Sequence, residues 1–357
     1  MSHAEKEALI LRLFDLLEGL EKPLGEVERK VEKTSRNSSK PPSSDGLKRQ
    51  AAEPRQIITG WLSKIPTHLF RQSSNVKQSE ITDPNAIVLI GVHKENLDPY
   101  EIISMNQCFT ILGHYPITFI CPEGMNVEQY LNVNPKASFD FIQSYWQSSY
   151  NNMEALRILP FLYKRYIEYD YLLIYELDAF VFRDELMEWC RKGYDYIGAP
   201  WLEGWSEAKP NAPFIGVGNG GFSLRKTRSL IKAVNSFSYI QKPRALWKRF
   251  QNAPPARKPY LFFDMVEKLT IRNNTHLWFN DWIGFLGDDI FWGTVISRNF
   301  KWFTVPEPEE ALRFSFEVQP RYLYELNNQQ LPFGCHKWWG YDLEFWRPFI
   351  REFGYEV

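Results

Sequence analysis

The chain lacks any run of 18 apolar residues, which argues against a membrane-spanning helix. Cysteine is scarce, with only Cys108, Cys121, Cys190 and Cys335. No two of them stand in a C-x-x-C pair, so a cysteine zinc site is not expected. Three sit in apolar or aromatic segments, as buried free thiols do, which fits a reducing, cytoplasmic setting. An excess of charge of either sign is missing as well. Lys and Arg number 42 against 43 Asp and Glu, a net charge of -1, so the whole molecule carries no field that selects nucleic acid or an anionic membrane. Met1 to Glu7 leads into a charged amphipathic stretch, with no apolar core of a secretory leader.

What is plentiful is aromatic. Phe, Trp and Tyr make up 16% of the residues, with 13 Trp, and such rings serve sugar stacking as readily as core packing. The length, 357 residues, suits a large α/β domain with an appendage. Leu9, Leu13, Leu16, Leu17 and Leu20 recur at helical spacing, and Val27 and Val31 continue the stripe after Pro23. Residues 1–33 are therefore expected to form an amphipathic, coiled-coil-like helix suited to self-association. Residues 34–80 are expected to be a Ser/Pro-rich linker and connector that buries too little apolar surface to fold alone. The main domain is expected over 81–357.

That domain opens with Ala86-Ile87-Val88-Leu89-Ile90-Gly91-Val92, a β-branched run that reads as a buried strand. Asp98 as N-cap, Pro99 and Gly113 bracket a helix. Residues 116–121 read as a second strand and 150–168 as another helix. The alternation predicts a mostly parallel sheet flanked by helices. Tyr171-Leu172-Leu173-Ile174-Tyr175-Glu176-Leu177-Asp178 then ends an apolar run in two carboxylates. Side chains alternate along a strand, so Glu176 and Asp178 are expected on one face at its C-terminal end, where open α/β sheets bind ligands. Hard oxygen donors there suit Mg²⁺ or Mn²⁺. Residues 237–285 show no clear period.

Several blocks carry a resemblance. Tyr175 to Phe182, Asp195 to Trp201, Gly218-Asn219-Gly220-Gly221-Phe222-Ser223-Leu224-Arg225, Glu310 to Glu317 and Leu331 to His336 stand in an order similar to a bacterial family of glycosyltransferase-like proteins. The resemblance spans roughly residues 85 to 350. It implies a GT-A-like nucleotide-diphospho-sugar transferase fold, with a nucleotide sugar as donor and a glycan or other hydroxyl as acceptor. It places Asp178 as metal ligand, with Glu176 where the fold's Asp-x-Asp signature has Asp, and His336 as a further ligand. It implies Asp289 of Asp288-Asp289-Ile290-Phe291 as the base of an inverting transfer, with Asp288 as its alternative. Two acids at a helix start also suit the helix dipole.

The remaining candidates are weaker in pattern. His93, Lys94 and Asn96 follow the first strand, where the resemblance puts the nucleotide. Arg157 and Lys337 are candidates for the diphosphate. Asn219, Gly220 and Gly221 are candidates beside the donor sugar, since paired glycines admit a close backbone approach; Asn-Gly also encodes a plain turn. Trp201 and Trp205 flank a polar loop and offer faces to an acceptor.

The N-terminal Asn37-Ser38-Ser39-Lys40-Pro41-Pro42-Ser43-Ser44-Asp45, behind its leucine-rich helix, resembles a segment of bacterial insertion-sequence transposases. It motivates a second reading, a nucleic-acid-associated protein, because Lys33, Arg36, Lys40, Lys48, Arg49 and Arg55 outnumber Asp45 and Glu53. Nucleic acid remains the less favoured partner. Two further readings are a non-catalytic nucleotide- or sugar-binding protein and a metal-dependent nuclease or nucleotidyltransferase. Expected localisation is the cytoplasm, with the inner membrane face as a second place.

Overall fold

The structure, a computed structural model, describes residues 84–236, 243–270 and 287–357. The N-terminal helix, the self-association it suggests and the linker lie outside those residues.

Strand β1 (Ala86–Gly91) and strand β4 (Tyr171–Tyr175) are parallel neighbours in a six-stranded sheet of order β3-β2-β1-β4-β9-β6. Between them in sequence come helix α1 (Pro99–Leu112), β2 (Ile117–Pro122), α2 (Glu128–Val133), β3 (Ser138–Ile142), α3 (Tyr150–Ile158) and α4 (Pro160–Arg165). β1, β2, β3 and β4 run parallel. β9 (Phe222–Lys226) is antiparallel to both β4 and β6 (Tyr196–Ile197). The sheet is thus mixed and mostly parallel, with helices around it.

The reason lies in two-sided burial. Alternate residues of β1 and β4 feed opposite cores: Ala86, Val88, Ile90, Tyr171, Leu173 and Tyr175 face one, and Ile87, Leu89, Leu172 and Ile174 the other. Strands covered on both faces read as unbroken apolar runs, as these do. The chain steps from β1 outward to β3 and then returns to β4. The C-terminal ends of β1 and β4 therefore meet at the switch point where such sheets bind ligands.

Several expectations hold in detail. Asp98 caps α1, accepting from the Tyr100 and Glu101 amides at 3.0 Å, while the Glu101 carboxylate accepts from the Asp98 amide. Other expectations change. The helix expected over 150–168 is broken at Leu159, which is extended because it precedes Pro160. Residues 243–252 and 258–270, without a clear period in sequence, form helices.

A second sheet of three short strands has the order β10-β11-β5, from Ser315–Phe316, Gly334–Cys335 and Phe180–Val181. β7 (Ala199–Leu202) and β8 (Phe214–Gly218) form an antiparallel pair. All four cysteines are free and buried. Among the described residues no helix is long and apolar enough to cross a membrane.

Candidate active site

β4 ends at Tyr175, so Glu176 and Asp178 do not share a strand face. They sit on a tight turn closed by the Ala179 amide donating to the Glu176 carbonyl at 2.8 Å. The carboxylates still converge, because the turn leads into β5 of the small sheet. There Cys335 of β11 pairs with Phe180, which sets His336 beside Asp178. β10 pairs in parallel with β11, Phe316 against Cys335, which sets Glu317 beside His336. Three two-residue strands thus deliver Asp178, His336 and Glu317 from distant parts of the sequence to one point.

Glu176, Asp178 and His336 are all buried, and one ligand atom from each lies within 4.8 Å of the others. His336 Nε2 stands 3.1 Å from Asp178 Oδ1 and 3.5 Å from Glu176 Oε2. Its Nδ1 stands 2.9 Å from Glu317 Oε1. A carboxylate on the far ring nitrogen orients a metal-ligating histidine and fixes its tautomer. The Asp178 carboxylate is fully buried, and the charge it meets in the chain is that of His336, whose Nε2 stands at hydrogen-bond distance from Oδ1. A cluster of buried carboxylates is costly unless cations meet it. Two carboxylates and an imidazole are a donor set that fits Mn²⁺ or Mg²⁺.

The surrounding charges support a cation. Glu154, Glu176, Asp178, Asp288, Asp289 and Glu317 outnumber Arg157, Arg225, Lys337 and His336. Burial works against a charge on His336, but Asp178, Glu176 and Glu317 outweigh it and hold its affinity for a proton well above the usual histidine value. Burial works against the Glu176 carboxylate too, but Arg157 and His336 overcome it and hold that group ionised well below the usual range. Burial pushes Asp178 up, with His336 pulling the other way.

Arg157, on α3, donates to Glu176 Oε1 and lies 3.9 Å from Glu154 Oε1. It therefore orients Glu176 and leaves Oε2 facing the histidine. Asp288 is buried against Arg225 of β9 at 2.5 Å, and its amide donates to Glu154. Arg225 also bonds Ser223 Oγ and the Tyr163 hydroxyl, both at 3.1 Å. Asp289 is half-buried, and Oδ1 accepts from the Ile290 amide at 2.8 Å. Burial first, then the Asp288 and Glu317 charges, push its carboxyl up to about 7. The following turn, Phe291–Ile296, has π-helical geometry, a form frequent beside functional sites.

Asn219, at φ 112°, accepts from the Gly221 and Phe222 amides at 2.8 and 3.2 Å through its side chain. Its Nδ2 is buried and meets no acceptor among the described residues. The glycines after it are needed for space. A Cβ on Gly221 would lie 2.1 Å from His336 Nε2, and one on Gly220 would lie 2.8 Å from Asp288 Oδ1. Lys337 follows His336 at φ 57°, is buried, and lowers the proton affinity of Asp178.

The other candidates have these surroundings. Lys94 bonds Glu101 at 2.8 Å. His93 is half-buried and Asn96 exposed past the end of β1. The Trp201 ring covers Gly218, and Trp205 tilts against it at 4.8 Å.

Three residues of the cluster were not read from the sequence. Glu317 closes the run Phe314-Ser315-Phe316, the same strand-then-acid signal as Tyr175-Glu176. Glu154 stands three residues before Arg157 on one helix face. Arg225 is a cation inside a buried strand, which implies a buried partner.

Residues 136–336 match the family described as "Protein of unknown function (DUF5672)", and residues 1–59 match "Family of unknown function (DUF6444)". No curated protein matches the chain. Among solved structures, mouse xyloside xylosyltransferase 1 in its apo form aligns at 12% identity over 71% of this chain and 97% of that one, with a TM-score of 0.41. Core-mannan synthase A from Aspergillus fumigatus, in its Mn/GDP form, aligns at 10% identity over 62% and 71%, with a TM-score of 0.35. The galactosyltransferase LgtC, in complex with donor and acceptor sugar analogs, aligns at 11% identity over 74% and 95%, with a TM-score of 0.34.

Proposed function

Because the chain belongs to the DUF5672 family, whose description assigns no activity, we propose a function from the site itself: a metal-dependent glycosyltransferase of GT-A type, moving a sugar from a nucleotide-sugar donor to a glycan or other hydroxyl acceptor with inversion. One observation carries the reading. The buried Asp178 carboxylate converges with Glu176 and His336 at the sheet's switch point.

Asp178, His336 and Glu176 Oε2 would hold Mn²⁺ or Mg²⁺. That ion would supply Lewis-acid neutralisation of the departing diphosphate. Glu317 holds the His336 ring for this task, and Arg157 holds Glu176. Lys337 adds a positive charge on the diphosphate side. Gly220 and Gly221 let the backbone approach the donor. Asp289, with its proton affinity near neutrality, accepts the proton of the acceptor hydroxyl as that oxygen bonds to the anomeric carbon and the carbon–diphosphate bond breaks. Asp288, tied to Arg225, positions Asp289 rather than acting as base.

The test is calorimetry of a panel of nucleotide sugars against the purified chain, with and without Mn²⁺. Binding of one donor only with the metal, lost in Asp178→Ala, supports the reading. A folded chain that binds no donor refutes it.

A further inference from the structure

Away from the site, helices Pro243–Asn252 and Lys258–Thr270 carry a concentration of exposed aromatics. Trp247 is 48% exposed, Tyr260 56%, Phe262 46% and Phe263 71%. Leu246, Leu261 and Met265 are buried, so these helices already have their inward anchors. The outward rings form a connected row. Trp247 lies 5.4 Å from Phe250, Phe250 lies 6.2 Å from Phe262, and Phe262 lies 5.9 Å from Phe263. The helical stretch 258–263 thus shows rings on its solvent side, where polar residues are the rule.

The charge around this row is mostly positive. Between residues 243 and 270, Arg244, Lys248, Arg249, Arg257, Lys258 and Lys268 stand against two acids in sequence, Asp264 and Glu267, and Arg249 meets Asp264 at 3.7 Å. In a chain of net charge -1 this is a local basic island. Lys258 Nζ lies 5.8 Å from the Phe250 ring, a cation at the edge of the aromatic row. Exposed rings between long cationic side chains match the chemistry of a lipid–water interface. The rings enter the acyl boundary while Lys and Arg reach back to the anionic headgroups. Nucleic acid also takes aromatics and cations, but a phenyl ring as exposed as Phe263, beside Phe262, suits acyl chains better than base stacking.

We propose that the 243–270 segment is a docking surface for an anionic phospholipid bilayer. The inference is independent of the transferase reading, because it uses none of the site residues.

Sedimentation of the full chain with vesicles tests it. The vesicles are phosphatidylcholine alone, or phosphatidylcholine with a third phosphatidylglycerol. Binding is expected to the anionic vesicles and not to the neutral ones. Each cation lost is expected to weaken it about fivefold, so Lys248→Glu with Arg257→Glu weakens it by about 25-fold or more. Trp247→Ser with Phe263→Ser is expected to weaken it at least as much. Both pairs are exposed, so melting by circular dichroism should match the parent chain. No binding to either vesicle overturns the proposal, as does anionic binding that neither variant pair changes. A dimer by light scattering that the ring variant converts to monomer would assign the surface to a second copy instead. Retardation of RNA or DNA lost in the same variants, without vesicle binding, would assign it to nucleic acid.

Discussion

A half-buried carboxyl whose proton affinity is pushed up to about 7 changes charge within an ordinary working range, and Asp289 is such a group. Deprotonated, it can accept the acceptor's proton, so transfer is expected to rise with pH through about 7 and then level. A pH–rate profile checks this, and Asp289→Asn should lower the rate by about 10² to 10⁴-fold at every pH. The same shift has a stability sign. The folded value lies above the ordinary 3.8, so the stabilising contribution is full below 3.8 and is lost as pH rises through 7. Asp289→Asn removes that loss. After allowance for solvent screening, the variant is expected to be more stable than the parent by about 1–2 kcal/mol at pH 8, read from urea unfolding. A base that is costly to hold ionised and gains stability on replacement is a mark of function rather than of packing.

At the scale of the element, the three short strands β5, β10 and β11 assemble the proposed metal ligands, and their tolerance is small. Gly221 faces the imidazole, so Gly221→Ala is expected to displace His336 and to weaken Mn²⁺ binding about 10- to 100-fold. Gly216→Ala, whose new methyl would meet Trp201 at an ordinary 3.6 Å, is the control that should leave binding unchanged. Glu317→Ala should give a loss of similar size without the steric cause, since it frees the ring that Glu317 orients. Isothermal calorimetry with Mn²⁺ compares all three. β9 has a different duty. Arg225 neutralises Asp288 in a dry interior, and Arg225→Met leaves that carboxylate alone, at an expected cost of about 3–5 kcal/mol in denaturant unfolding.

For the whole molecule, the imbalance of buried carboxylates over cations should appear as metal-dependent stability. A ligand at 100 times its dissociation constant adds about 2.7 kcal/mol to the folded state. Mn²⁺ is therefore expected to raise the melting temperature of the parent chain relative to EDTA, and to leave Asp178→Asn unmoved. A melt of both proteins in both buffers makes the comparison. Without metal, Asp178→Asn should be at least as stable as the parent, because it removes a charge that burial and the neighbouring Glu176 make costly.

Patterns that act over a few residues were legible in the sequence. The runs of β1 and β4 announce strands covered on both faces, and Asp98 with Pro99 announces the start of α1. Strand-then-acid at Tyr175-Glu176 marks the C-terminal end of β4. The GT-A-like expectation came from a resemblance of ordered blocks, and with it came His336 and Asp289. Tertiary structure decided the rest. Glu176 and Asp178 converge through a turn rather than along a strand. Arg157 faces a carboxylate, and Asp288 is spoken for by Arg225. Glu317 and Glu154 join the site from far along the chain. The physical reason is that apolar periodicity reports which face of an element leaves water, a local property. Which charges then meet inside depends on strand pairing between distant segments, as when Cys335 against Phe180 brings His336 to Asp178.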